Sequence, residues 1–75
     1  MQDEIVAYVV YRDPSDYPGM FVLRAFRFQN GRLQPELDPK AISKSLSLCR
    51  ALIPKDRVNL ERSANDDSAI YEVWI

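Results

Sequence analysis

Any chemistry in this chain would have to come from carboxylates, hydroxyls, one thiol, lysines and arginines, because it contains no histidine. That excludes Ser-His-Asp and Cys-His nucleophiles and any imidazole metal ligand. Ser43, Ser45 and Ser47 therefore have no histidine base, and no lysine dyad is specified by spacing. Cys49 is the single cysteine. Alone it forms no internal disulfide, no paired-cysteine redox motif and no zinc cluster of several thiolates. Asp13 and Asp16 in one polar stretch and Asp66-Asp67 in another are the carboxylates that could draw a divalent cation. They lack the alternate-residue spacing and terminal glutamate of a calcium loop, and read as solvated turn acids. Glu61 and Glu72 can lie across a strand pair, where Arg57, Arg62 or Arg24 is the expected partner. No catalytic residue, metal or cofactor is expected, and the chain reads as non-enzymatic.

Recognition is the better use of these residue types. The basic residues are seven Arg and three Lys, and Arg is the type suited to planar, bidentate or stacked contacts. Arg24 and Arg27 alternate with Phe26 and Phe28, the pairing of charge and stacking surface used by single-strand nucleic-acid binders. Against that use stand a net charge of −1, a pI near 5.2 and the lack of a glycine-rich basic strand. Binding to another protein fits the mixture of charge, Arg, Tyr and Trp better. Nucleic acid is the weaker alternative.

These side chains need a scaffold, and 75 residues allow one small domain spanning 1–75, which buries roughly 60% of its extended surface. The composition, 47% hydrophobic and 28% charged, is that of a folded globule rather than a disordered chain. The segment from Ile5 to Arg12 is β-branched and aromatic and reads as a strand. Its Ile5, Ala7, Val9 and Tyr11 side and its Val6, Tyr8 and Val10 side are both apolar, which suits a central strand or one whose second face meets a partner. Asp13-Pro14-Ser15-Asp16-Tyr17-Pro18-Gly19 is turn chemistry, longer than a tight hairpin needs. Tyr17 is there either to anchor a partner or to fold back over the sheet edge. A second strand runs from Met20 to about Gln29, with Phe21, Leu23 and Ala25 as the core side. The apolar side then passes to Phe26 and Phe28, through a bulge near Arg24 or Ala25 or because both faces are partly covered. Asn30-Gly31 signals a tight turn, after which Arg32-Leu33 can return briefly along the sheet.

Asp38-Pro39 has the form of a helix cap followed by proline at the first helical position. From there to about Leu52, the residues Ala41, Ile42, Ser45, Leu46, Cys49, Leu52 and Ile53 recur at spacings of three and four. They predict a helix ended by Pro54, with Cys49 buried as a small hydrophobe. A third strand is expected over Arg57–Arg62 with Val58 and Leu60 inward, then a polar turn from Ser63 to Ser68. A fourth strand follows from Ala69 to Ile75. The expected fold is α+β, a four-stranded antiparallel or mixed sheet with one helix on one face, in the order β-β-α-β-β. One helix cannot cover two faces. Aromatics among Tyr8, Tyr11, Phe26, Phe28 and Trp74 must then be exposed, packed under loops or buried in a homodimer, so self-association or a partner surface is expected. The longest apolar run, Ile5 to Tyr11, is too short to cross a bilayer. The opening Met1-Gln2-Asp3-Glu4 lacks the basic and apolar pattern of a signal peptide; no signal peptide, no membrane contact and a cytoplasmic location are the expectations.

The run from Tyr11 to Arg24, which includes Pro14, Asp16-Tyr17-Pro18-Gly19 and Phe21-Val22-Leu23, resembles the opening of a small family of proteins from bacteria and their phages. Ser45-Leu46, Arg50-Ala51-Leu52-Ile53-Pro54, Arg62 before Asn65-Asp66-Asp67, and the ending Ile70-Tyr71-Glu72-Val73-Trp74-Ile75 are similar to it as well. The resemblance carries no catalytic or ligand residue. It implies a phage or prophage accessory protein that binds a host protein, with inhibition of host defence as one such role. Tyr17, Arg24, Arg50 and Arg62 are the resembling positions least accounted for by structure, and form the expected protein-binding set.

Overall fold

The computed structural model describes residues 5–60 and 68–75. Its strands are β1 (Ile5–Arg12), β2 (Phe21–Gln29), β3 (Arg32–Pro35), β4 (Ala41–Ser43), β5 (Asn59–Leu60) and β6 (Ile70–Trp74), with one helix, α1 (Leu46–Ala51), between β4 and β5. They form a single six-stranded sheet in the order β3-β2-β1-β6-β5, with β4 also paired to β2. Every pairing is antiparallel. The expected four-stranded β-β-α-β-β arrangement is therefore wrong: two further strands stand between the second strand and the helix.

The physical reason lies along the outer edge of β2. Asn30 and Gly31 take the positive φ values of a tight hairpin turn, 53° and 76°, and return the chain as β3. Phe26 then faces Pro35, and the Glu36 N–H donates to the Ala25 carbonyl at 2.8 Å. The chain steps out at 37–39 and rejoins β2 when the Lys40 N–H donates to the Leu23 carbonyl at 2.7 Å. β4 follows, with Ala41 opposite Leu23 and Ser43 opposite Phe21. Asp38-Pro39 thus marks an excursion in an interrupted edge strand, a place where proline costs no ladder hydrogen bond and holds its predecessor extended. The strand satisfies backbone groups of β2 that a helix begun at Pro39 would leave unpaired.

The helix is correspondingly short. Ser45 is its cap, with extended φ and ψ, and its hydroxyl accepts the Leu48 N–H at 3.4 Å. Ser43 Oγ in turn accepts the Ser45 N–H at 3.0 Å. The serines read above as hydroxyls without a base are a capping device. Cys49 is fully buried, as its place in the apolar stripe predicts. With Ile53 it seals a core made by Tyr8 and Val10 of β1 and Leu23 and Ala25 of β2, flanked by Ile5, Phe21, Ala41, Leu46 and Trp74. Desolvation there pushes the thiol pKa up, which keeps it protonated and inert.

Two irregularities decide which side chains share a face. Ile5 pairs with Arg27 but Ala7 with Phe26, so the register shifts around Val6. Of the two readings offered for β2, the bulge near Arg24 or Ala25 is not found: β2 runs in continuous register there, and the extra residue lies in β1. It leaves Ile5 on the core side and Ala7 on the other. A second shift falls where Val10 faces Glu72 and Tyr11 faces Ile70. Tyr71, the extra residue there, meets Phe21 edge-on at 5.7 Å. The third strand is shorter than expected, and Val58 and Leu60 are exposed rather than inward. Glu61, Arg62 and Asp66-Asp67 lie outside the described residues.

Candidate protein-binding face

Because cross-strand partners share a face, the register maps the side of the sheet away from the helix. On it lie Val22 beside Tyr11, Arg24 beside Val9, and Phe26 beside Ala7. Val9 continues to Val73 and Val73 to Leu60. On the outer side of β2, Phe26 meets Pro35, Phe28 meets Leu33 and Val22 meets Ile42. Arg24 is the one charged side chain in this array. It stands in the middle of an otherwise apolar face.

The loop from Asp13 to Met20 overhangs one end of this face. Asp13 adopts a positive φ of 52°, its carboxylate accepts the Gly19 N–H at 2.6 Å, and its own N–H donates to the Met20 carbonyl at 2.8 Å. The Tyr17 N–H donates to the Pro14 carbonyl at 3.0 Å, which forms an inner turn. Gly19, at φ 75°, supplies the left-handed step that closes the loop. Pro14 is buried against the sheet. Asp16 reaches the guanidinium of Arg24, Oδ2 to Nη2 at 3.0 Å. Between loop and sheet opens a cleft of about 680 Å³, with Tyr11, Val22, Phe26 and Pro35 as its apolar wall and Arg24 and Asp16 as its polar one.

The residues expected to act in recognition are divided by this geometry. Arg24 lines the cleft, and half-buried Tyr17 follows Asp16 in the overhanging loop. Arg50 is on the opposite side, where it grips Glu72 through two hydrogen bonds of 2.8 Å. Glu72 is the partner of Val10 in the register, hence on the helix side. It finds Arg50 rather than Arg57 or Arg24, two of the partners expected for it. Arg50 lowers the Glu72 pKa mainly by hydrogen bonding, against the opposing effect of burial. The Trp74 indole N–H favours the same charged form, although it makes no hydrogen bond of ordinary geometry. Arg62 lies outside the described residues. The sheet-face aromatics divide likewise: Tyr8 and Trp74 belong to the helix-side core, while Tyr11, Phe26 and the exposed Phe28 belong to the other face.

Sequence reasoning missed Asp16, Pro14, Val22 and Pro35 as parts of one site. The alternation of Val22, Arg24 and Phe26 was the available signal for the wall. The excess length of the Asp13–Gly19 turn was the signal for a loop folded over the sheet, but it did not say which of its residues would meet the wall.

Among the described residues no three carboxylates or thiols gather closely enough to hold a metal ion, and no helix is long and apolar enough to cross a membrane. Compared with protein families, curated proteins and solved structures, the chain matches none.

Proposed function

We propose that this chain is a non-enzymatic protein-binding module that uses the cleft under the Asp13–Met20 loop to hold an apolar side chain of a partner protein. The observation that carries the reading is the setting of Arg24. It sits in the middle of an apolar face, and its one cleft-side partner is a loop carboxylate bound through a single contact. Arginines surrounded by apolar surface and shielded by a rim are the usual centres of binding energy in protein interfaces. A guanidinium has donors to spare after one such bond, so a partner's carboxylate or carbonyl can join Asp16. The partner in this reading is a host protein, in keeping with the phage-associated resemblance.

A nucleic-acid platform has weaker support. Arg27 alternates to the helix side of β2, away from Phe26 and Phe28, and pairs with Glu36 at 3.1 Å. The stacking surface and the two arginines are therefore not one surface.

Tagged protein recovered at moderate salt from a bacterial host tests the proposal. A protein retained in stoichiometric amount by the wild type should be lost from Arg24→Glu and reduced with Tyr17→Ala, with the fold of both variants intact by circular dichroism. Equal retention by both variants removes the cleft from consideration.

A further inference from the structure

The same sheet face carries a second apolar surface at its other edge, away from the cleft. Val58 and Ile75 exchange backbone hydrogen bonds, 2.7 Å from the Val58 N–H and 2.9 Å from the Ile75 N–H. Leu60, two residues on, projects to the same side as Val58. Val58, Leu60 and Ile75 are 62%, 42% and 49% exposed. Together they form a stripe with no charged side chain. We propose that two copies of this chain associate face to face through this stripe, across a two-fold axis.

The choice of a second copy rests on charge. An isologous interface needs a patch that complements itself, and the stripe is preceded in the chain by adjacent opposite charges, Lys55 and Asp56. Both are exposed. Asp56 is only loosely associated with its neighbour, at 4.0 Å from Arg57 Nε. Arg57 is committed inward, where it donates to the Ile5 carbonyl at 3.1 Å and stacks over the Tyr8 ring at 5.3 Å. A two-fold axis beside the stripe sets Lys55 of one copy against Asp56 of the other. At a net charge of −1 per chain, no strong repulsion opposes the pairing.

Addition of a strand to the β5 edge is the less favourable geometry. Val58 and Leu60 spend their backbone groups on β6, so Asn59 alone of the two residues in β5 turns its N–H and carbonyl outward. The surface involved is small, so the dimer belongs to the weak class and forms with rising concentration.

Sedimentation equilibrium of the full chain from about 10 µM to about 1 mM tests this, a range set by weak-interface affinities. The weight-average mass should climb from 8.7 kDa towards twice that value. Leu60→Glu and Val58→Lys should each stay monomeric with wild-type circular dichroism, since both side chains already face water. Lys55→Glu should weaken association by about tenfold, and Lys55→Glu with Asp56→Lys should restore it, the signature of pairing between copies. A monomer throughout the range, an unchanged dimer in both stripe variants, or no recovery in the charge-swapped variant would overturn the proposal. None of these residues lines the cleft, so loss of partner binding and loss of self-association are separable results.

Discussion

Two arginine–carboxylate pairs stand on opposite faces of the sheet, with their roles reversed. On the helix side the sheet supplies the carboxylate: Glu72 is 6% exposed and gripped at two points by Arg50, which is 47% exposed. On the other side the sheet supplies the arginine: Arg24 is 21% exposed and touched at one point by Asp16, which is 57% exposed. In each pair the sheet member is fixed and the outer member is the one in contact with water. A buried carboxylate held by two bonds ties the helix to β6 and is costly to break. A half-buried arginine held by one exposed carboxylate leaves its outer position open to exchange. The first arrangement serves the fold, and the second is suited to recognition.

The sharpest way to test the contrast starts with the core that the first pair closes. Leu23→Ala, fully buried on the helix side, should cost about 3 kcal/mol by denaturant unfolding. Arg50→Ala should cost about 2 kcal/mol, because it leaves a buried carboxylate without its charged donors. An effect of Arg50→Ala no greater than that of an ordinary surface change would dissolve the distinction between the pairs.

Acid should separate them further. The Glu72 pKa is lowered from 4.5 in the fold, so this group stabilises the protein fully above the ordinary carboxylate range. That contribution is lost as pH falls through the lowered value. Glu36, lowered in the same direction mainly by Lys40, adds a parallel loss. Glu72→Gln should therefore flatten, without abolishing, the fall in melting temperature below about pH 4.5. An unchanged acid slope would show that the Arg50 contact does not persist in solution. The smallest effect is expected on the other face: Asp16→Ala should shift stability by no more than about 0.5 kcal/mol, measured by the same unfolding experiment. A loss as large as that of Arg50→Ala would make the Asp16 pair a structural tie as well.

Much of the strand framework was legible in the chain. β1 and β2 follow from their β-branched and aromatic runs, and Asn30-Gly31 announces its own turn. The helix start was not legible, because Asp followed by Pro suits a helix cap and a strand excursion equally. What chose between them was the unpaired edge of β2 at Phe21–Leu23, a demand made by a distant segment. The two arginine pairs were hidden for a related reason. Glu72 reaches Arg50 across 22 residues, and the bulges, one in β1 and one in β6, each reverse an alternation that local reading carries straight through. Arg24 was identifiable as unusual among its apolar neighbours, whereas its partner in the loop depended on how the turn closed.

That closure bears on the kinetics of association. The loop over the cleft is fastened to itself at both ends, by the Asp13 carboxylate on the Gly19 amide and by the Asp13 amide on the Met20 carbonyl. A segment already held in shape loses little conformational freedom when a partner arrives. Encounter with the cleft should then proceed in a single step, with a rate proportional to partner concentration and no slow rearrangement at saturation. Asp13→Ala, which releases the clasp, should slow arrival more than it speeds departure.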